Sequence, residues 1–218
     1  MLEKILLFPF GGNGREALLC ILAVNARKKK WRVLGFIDDD SSTYGKSCCG
    51  VKVLGGRKVL KKETAVRILA VPGNPGNYLE RKKIIESLGI KKSGFATVIH
   101  PSANISPDSV IGYNTLIMPN VVISCGARIG NHCVILPNTV ISHDSAIGDW
   151  CMIGSNVSVS GNVRIEPFCY VGSGSKIRDR ISIEKGSLVG LGSNVVSDIE
   201  KYTVAAGNPA RAMRKIRP

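Results

Sequence analysis

A histidine and an aspartate stand side by side in the segment Ile141-Ser-His143-Asp144, and together they have the chemistry of a general base. A neutral imidazole accepts protons near pH 7, and a neighbouring carboxylate fixes its tautomer and raises its basicity. Taken by itself, this pair is equally compatible with a solvated surface turn. The fold must therefore show which other groups lie beside the imidazole.

The second half of the chain is a strict repeat. From Ile99 to Val195 every sixth residue is Ile or Val, seventeen times in succession. The residue four places later is usually small: Ala103, Ser109, Thr115, Val121, Ala127, Cys133, Thr139, Ser145, Cys151, Val157. This pattern predicts a parallel β-helix of hexapeptide repeats, in which three hexads form a coil of eighteen residues. Successive coils then stack about 4.8 Å apart as paired strands.

The stride of eighteen residues places Cys125, His143, Gly161 and Asp179 in one outward-facing column. Gly161 leaves room for a substrate atom beside the imidazole, and its N–H is a donor for a developing oxyanion. A base, a carboxylate and an amide donor predict an acyl-transfer site formed by His143, Asp144 and Gly161.

A metal centre is disfavoured. Cys133, Cys151 and Cys169 form another column, but it faces inward, where buried thiols usually serve as small apolar side chains. The three histidines of the chain give no convincing ligand set, so a metalloenzyme of the carbonic anhydrase kind ranks lowest, and we predict no metal.

The first half predicts an α/β unit. Residues 4–8 form a buried strand, a loop with Gly12, Asn13 and Gly14 follows, residues 15–25 form a helix, and residues 32–37 form a second strand. Glycines at a helix start let the backbone approach an anion. The strict dinucleotide fingerprint is absent, which disfavours a nicotinamide enzyme.

Further strands and loops complete this unit in the prediction. Strands at residues 67–71 and 95–99 flank a helix at residues 78–88. Loops at the carboxyl ends of parallel strands converge, so the glycine loop, Asp38 and Gly73 should meet at one crevice, where a carboxylate can accept hydrogen bonds from ribose. We predict a Rossmann-like domain over residues 1–98, a β-helix over 99–200 and a closing segment over 201–218.

Composition restricts the partners. The 218 residues carry 30 Lys and Arg against 16 Asp and Glu, and the first 98 residues hold 19 basic and 8 acidic side chains. The chain has 6% aromatic residues and no nucleic-acid motif, so we predict no nucleic-acid partner, and the surplus suits a small polyanion such as a nucleotide diphosphate equally well. The first ten residues fail as a secretory signal and no membrane-spanning stretch occurs, so we predict a cytoplasmic protein with free thiols.

The whole chain resembles the left-handed β-helix acetyltransferases, which acylate nucleotide-linked amino sugars or, in related members, a hydroxyl of sialic acid. The motifs that carry the resemblance occur in family order: Gly-Gly-Asn-Gly-Arg-Glu, Gly35-Phe-Ile-Asp-Asp-Asp40, Val-Leu-Gly near Gly55, His100-Pro101, Leu116-Ile-Met-Pro119, Ile-Ser-His143-Asp144, Ser-Gly161 and Gly207-Asn-Pro-Ala-Arg211. The left-handed winding is implied by this resemblance alone.

The resemblance implies a homotrimer that uses acetyl-CoA in the cytosolic synthesis of a surface polysaccharide, with His143 as general base, Asp144 as its support and the Gly161 N–H on the acetyl carbonyl. It places the nucleotide sugar against Gly12, Asn13, Gly14, Asp38, Asp39, Gly55, Gly73 and Asn74. It places acetyl-CoA in a groove between neighbouring coils, against Met152, Gly161, Ser173 and Leu191.

The chain departs from the family pattern at several positions. Pro9-Phe10 replaces Gly-Ala, Asn13 replaces a loop histidine, Leu136-Pro137 replaces Asn-Thr, and Met152 replaces a histidine. The leading hypothesis is N-acetylation of a nucleotide-linked aminodeoxy sugar. O-acetylation of a sialic acid or similar sugar is the first alternative, and a non-catalytic trimeric scaffold that senses a nucleotide is the second.

Overall fold

The computed structural model describes residues 2–63 and 65–217. Its first part is a three-stranded parallel sheet in the order β2-β1-β5, formed by β1 (Glu3–Phe8), β2 (Trp31–Phe36) and β5 (Val66–Ala70). The long helix α1 (Gly12–Arg27) joins β1 to β2, and the short helix α2 (Arg81–Glu86) follows β5. A small hairpin, β3 (Ser47–Cys48) and β4 (Val51–Lys52), and 3₁₀ turns at Ser41–Thr43, Arg57–Lys61, Tyr78–Glu80 and Lys92–Gly94 complete this part.

The fourth strand predicted for this sheet is wrong. Phe95 makes only an isolated bridge to Ile68, and Val98–Ile99 pairs instead with Leu116–Ile117 of the β-helix. Because Val98 and Ile99 already follow the hexapeptide pattern, the inter-coil pairing takes them away from the front sheet.

The β-helix itself is confirmed, with six coils along its second face. Seventeen two-residue strands, β6 to β22, recur every six residues: Val98–Ile99, Asn104–Ile105, Val110–Ile111, Leu116–Ile117, Val122–Ile123, Arg128–Ile129, Val134–Ile135, Val140–Ile141, Ala146–Ile147, Met152–Ile153, Ser158–Val159, Arg164–Ile165, Tyr170–Val171, Lys176–Ile177, Ser182–Ile183, Leu188–Val189 and Asn194–Val195. Their winding sense, and the Rossmann-like character of the front part, stay predictions.

The strands form the three faces of a prism. The first face begins with β6, the second with β7 and the third with β8, and every strand pairs in parallel with the strand eighteen residues later along the repeat. The first face ends in β23 (Thr203–Gly207), which lies parallel to β21, and in β24 (Ala210–Lys215), which runs antiparallel to β23.

The interior of the prism is built as the repeat predicts. The repeated Ile and Val side chains are buried from Ile117 to Val195, and the small residues that follow them are buried at the corners. Small polar corner residues donate to a carbonyl on the next coil: Thr139 Oγ1 to Gly154 O at 2.7 Å, Ser145 Oγ to Ser160 O at 2.8 Å and Cys151 Sγ to Glu166 O at 3.1 Å. Burial raises the pKa of the Cys133 and Cys151 thiols, in keeping with their expected role as small core residues.

The front part packs on the first face and on the edge where the third face turns into the first. Apolar side chains of α1 and β1 join Leu116, Val134 and Met152 of the first face in one buried cluster. A second cluster joins β5 and α2 to Trp150 on that edge. The second face, the third face and the edge between them are left uncovered by the front part of the same chain.

Candidate functional site

The predicted catalytic pair lies on the edge between the second and third faces, in the turn from β13 to β14. His143 Nδ1 lies 2.9 Å from Asp144 Oδ2, and the two side chains are 55% and 61% exposed. Asp144 has a φ of 59°, a left-handed conformation that aspartate tolerates better than most residues. With Nδ1 bonded to the carboxylate, the proton of a neutral imidazole belongs on Nδ1, so Nε2 is the atom that accepts.

Gly161 lies directly above this pair, on the next coil. Asn162 N donates to His143 O at 3.0 Å, and a Cβ on Gly161 would lie 2.5 Å from His143 Nε2. The Gly161 N–H donates to no other group in the described part of the chain. The accepting nitrogen of the imidazole therefore faces a stretch of bare backbone with an unpaired donor, and the imidazole faces solvent.

Of the residues expected to contact acetyl-CoA, Gly161 lies beside His143, and the other three lie in two other places. Ser173 and Leu191 occupy the edge between the first and second faces; Ser173 Oγ accepts from Ser155 N at 3.0 Å, and Leu191 is 75% exposed. Met152 is only 4% exposed and lies on the first face, where its sulfur underlies Gly73. The structure thus places Met152 with the front part of the chain rather than with Ser173 and Leu191.

A cavity of about 830 Å³ opens at the carboxyl ends of the front strands. Five of the predicted substrate residues line it: Gly12, Asn13, Asp39, Gly73 and Asn74. Asn13 Nδ2 donates across it to Val71 O at 3.3 Å and Gly73 O at 3.1 Å, which ties the two loops together. No side chain caps the start of α1, so the free N–H groups of its first turn remain available to an anion.

Three predicted substrate residues lie behind the cavity wall instead. Both oxygens of Asp38 accept backbone N–H groups, from Phe10 at 2.8 Å and Asp40 at 2.9 Å. Gly55 O accepts from Asp38 N, and a Cβ on Gly14 would lie 1.9 Å from Pro9 O. These residues shape the loops from behind, so of the two predicted carboxylates Asp39 is the one that faces the cavity.

Two basic residues of the cavity, Arg57 and Lys83, were missed by sequence reasoning. Arg57 donates through Nε and Nη2 to both oxygens of Asp39 and through Nη1 to Ser87 O at 3.0 Å. Hydrogen bonds from Arg57 lower the pKa of Asp39 below its usual value. Nothing in the sequence distinguishes Arg57 among the many basic residues of the front part.

A buried guanidinium fixes the cavity wall to the β-helix. Arg81 of α2 is 0% exposed and donates to Pro72 O at 2.7 Å, to Trp150 O at 2.6 Å and to His132 O at 2.7 Å. Burial lowers its pKa to about 10, which leaves it charged at neutral pH. Pro72 precedes Gly73, so Arg81 fixes the position of the Pro72-Gly73 loop relative to the β-helix.

His132 supports the same contact and is neutral in the folded protein. Its ring stacks on Trp150 with centroids 3.8 Å apart. Asn114 Oδ1 accepts from Ala70 N, so Asn114 Nδ2 is fixed as the donor to Ala70 O and to His132 Nδ1, both at 2.8 Å. Burial and the charge of Arg81 lower the pKa of His132 to about 4.

This environment predicts a loss of stability in acid. The pKa of His132 rises from about 4 to its ordinary value of about 6.5 on unfolding, so the unfolded chain binds the extra proton. The stabilisation is complete above pH 6.5 and is lost as the pH falls toward 4, by roughly 3 kcal/mol in total. Urea unfolding across this range measures it. His132→Phe, which keeps a ring on Trp150, should unfold with a slope against pH that is smaller by one proton; equal slopes would contradict the assignment.

Two kinds of structural feature are absent from the described residues. No helix among residues 2–63 and 65–217 has the length and apolar character to span a membrane. Over the same residues, no group of three or more His, Cys, Asp or Glu side chains could hold a metal ion.

Solved structures resemble the chain over nearly its whole length. The acetyltransferase domain of PglB from Neisseria gonorrhoeae superposes with a TM-score of 0.84 at 26% identity, covering 97% of this chain and 100% of that domain. PerB from Caulobacter crescentus, solved with CoA and GDP-perosamine, gives 0.83 at 24% identity and covers 97% of each chain. WeeI from Acinetobacter baumannii gives 0.79 at 23% identity, covering 98% of this chain and 100% of that one.

The PglB match confirms the resemblance to β-helix acetyltransferases that was inferred from the sequence, and the other two matches confirm the fold. A search of curated proteins finds no match. A family model described as the GMPPB C-terminal domain matches residues 95–203, from the end of the front part through the last coil. This match spans half of the chain, and the protein therefore belongs to the GMPPB C-terminal domain family.

Proposed function

We propose that this protein transfers the acetyl group of acetyl-CoA to the amino group of a nucleotide-linked aminodeoxy sugar. The observation that carries the proposal is the imidazole Nε2 of His143 facing the bare backbone of Gly161. The PglB domain, which is 26% identical, is an acetyltransferase that has also been solved with acetyl coenzyme A. The PerB structure with CoA and GDP-perosamine supports a nucleotide sugar as the acceptor.

In the proposed reaction the sugar amine attacks the thioester carbonyl, and His143 Nε2 takes the proton that the amine loses. Asp144 stabilises the resulting imidazolium through Nδ1, 2.9 Å away. The Gly161 N–H donates to the oxyanion of the tetrahedral intermediate. Collapse of the intermediate breaks the C–S bond, and CoA leaves as a thiol with the proton that His143 returns.

The acceptor binds in the front cavity. The free N–H groups of the first turn of α1, at Gly12 and Asn13, bind its diphosphate, since a helix start favours anions. Asp39 accepts from the ribose, and Gly73 and Asn74 form the opposite wall. Asp38, Gly14 and Gly55 keep this loop in place without contacting the nucleotide.

The position of the cavity supports a trimer with shared sites. The front part covers the first face, whereas His143 lies on the opposite edge of the prism, between the second and third faces. A second chain that brings its own His143 edge to the cavity places base and acceptor together. The groove between the two chains then holds acetyl-CoA along Ser173 and Leu191. The reaction takes place in the cytoplasm, as a step in the synthesis of a surface glycan.

An acceptor panel tests the function. The purified protein is given acetyl-CoA with UDP- and GDP-linked 4-amino sugars, with the corresponding hydroxyl sugars and with sialic acid, and the products are identified by mass spectrometry. We expect acetylation of an amine on a nucleotide sugar. Acetylation of hydroxyls alone would establish the O-acetyltransferase instead, and failure to bind acetyl-CoA in calorimetry would establish a non-catalytic scaffold.

A further inference from the structure

The excess positive charge of the front part is not located at the front cavity. That cavity is lined by two acidic residues, Asp39 and Glu80, and two basic ones, Arg57 and Lys83, so its charges balance. The first 98 residues nevertheless hold 19 basic and 8 acidic side chains. The proposed reaction therefore leaves most of this charge without a role.

Part of this excess, a net three charges, lies at the other end of the sheet, in a second cavity of about 690 Å³. Four cationic side chains line it, Lys30, Arg67, Lys91 and Lys92, against the single carboxylate of Glu3. Glu3 is already paired with Arg67 Nε at 2.8 Å. Within the described residues, the three lysines pair with no carboxylate, so three positive charges around one concavity are uncompensated.

Aromatic rings hold two of these ammonium groups in place. Lys30 Nζ lies 4.7 Å from the centre of the Trp31 ring, and Lys92 Nζ lies 5.3 Å from the centre of the Tyr113 ring. Such contacts restrict a flexible side chain without neutralising its charge. Arg67 is held as well, since Nη1 donates to Ser93 O at 3.2 Å. The cations are thus partly preorganised, which lowers the cost of binding an anion.

The walls of this cavity come from both parts of the chain. Trp31 and Phe95 belong to the front part, whereas Tyr113 belongs to the β-helix. The volume lies in the range of small-molecule sites, and the lining combines apolar rings with a few charged groups.

We propose that this second cavity binds a phosphorylated small molecule, a ligand distinct from the acceptor in the front cavity. Its phosphates are held by Lys30, Lys91 and Lys92, which make charge-assisted hydrogen bonds to phosphate oxygens. The proposal does not depend on the acetyl-transfer reaction. It assigns a ligand to the three lysines of this cavity that no carboxylate compensates.

Isothermal titration of the full chain with pyrophosphate tests this site. We expect saturable binding that weakens as salt rises, because exposed charges are screened. The double variant Lys30→Ala, Lys92→Ala should bind at least about tenfold more weakly, since two charge-assisted contacts are lost. The matched control Lys58→Ala, Lys61→Ala removes two exposed lysines of the same front part outside this cavity and should bind as the wild type does.

The alternatives are distinguished in the same titrations. Equal binding by the wild type and the Lys30, Lys92 double variant would place the anion elsewhere, for example at the start of α1, and would overturn the proposal. So would the absence of any binding by the wild type. ADP is the second probe, and it tests the aromatic wall of the cavity. If ADP binds more tightly than pyrophosphate and the same double variant abolishes this binding, the ligand is a nucleotide.

Discussion

Replacing His143 by asparagine should lower kcat for acetyl transfer by about 10²–10⁴-fold, the usual contribution of a positioned general base. Asparagine keeps a polar side chain on the exposed edge but cannot take a proton from the attacking amine. Since His143 is 55% exposed and makes no core contact, the melting temperature should hardly change. Steady-state kinetics with saturating acetyl-CoA measure the loss.

A control variant and a second test variant lie on the same edge of the prism. Asp108→Asn changes an exposed carboxylate two coils before Asp144 and should leave the rate unchanged. Gly161→Ala should lower kcat by roughly 10²-fold, because its Cβ would displace the imidazole from 2.5 Å away. Wild-type rates in the His143→Asn and Gly161→Ala proteins would eliminate this edge as the reaction centre.

Mixing inactive chains tests whether the site is shared. Chains with His143→Asn keep the front cavity, and chains with Gly12→Asp, which places a carboxylate where phosphate is proposed to bind, keep the proposed catalytic edge. Refolding the two together should restore activity. Without recovery, the cavity and His143 would have to act within one chain.

Replacing Arg81 by methionine should lower the free energy of unfolding by roughly 3–5 kcal/mol, the cost of breaking a buried charged network. The change leaves the carbonyls of Pro72, His132 and Trp150 buried without their donor. The freed Pro72-Gly73 turn should also raise the KM for the nucleotide sugar while the KM for acetyl-CoA stays the same. Chemical denaturation and two-substrate kinetics measure these effects.

A neighbouring residue provides the control for Arg81. Lys82→Met removes an exposed charge from the same helix, where Lys82 pairs with Glu86 at 3.8 Å, and should cost less than about 0.5 kcal/mol. Arg81→Lys should recover part of the stability, because a lysine ammonium can reach some of these carbonyls. Equal stability of the two methionine variants would show that the buried contacts of Arg81 contribute nothing.

The β-helix and the geometry of its edge could be predicted from the sequence because the stride is constant. Once residues 141 and 159 occupy equivalent interior positions, His143 and Gly161 must lie one above the other, as the structure shows. The burial of Cys133, Cys151 and Cys169 follows from the same arithmetic. Periodicity fixes such relations without any knowledge of the tertiary packing.

The residues whose positions were predicted wrongly, or not predicted at all, depend on contacts between distant segments. Asp38 has the position of a ribose ligand in the chain, but the Phe10 N–H satisfies one of its oxygens from 28 residues away. Met152 lies under Gly73 because the front part packs on the first face, and no local sequence pattern predicts this packing. Arg57 reaches the cavity through its pair with Asp39, 18 residues earlier. The strand predicted at residues 95–99 failed because Val98 and Ile99 pair with the next coil.

The reversed strand β24 stops the solenoid from growing. Every coil repeats the same interior, so an open end would be a template for the first coil of another molecule, and end-to-end association would give fibres. Instead the first face ends in an antiparallel strand whose exposed side chains include Arg211, Arg214 and Lys215. A strand from a second copy that approached in the parallel direction would not match the antiparallel backbone of β24 and would be repelled by its positive side chains. End-to-end association of the β-helices is thereby prevented.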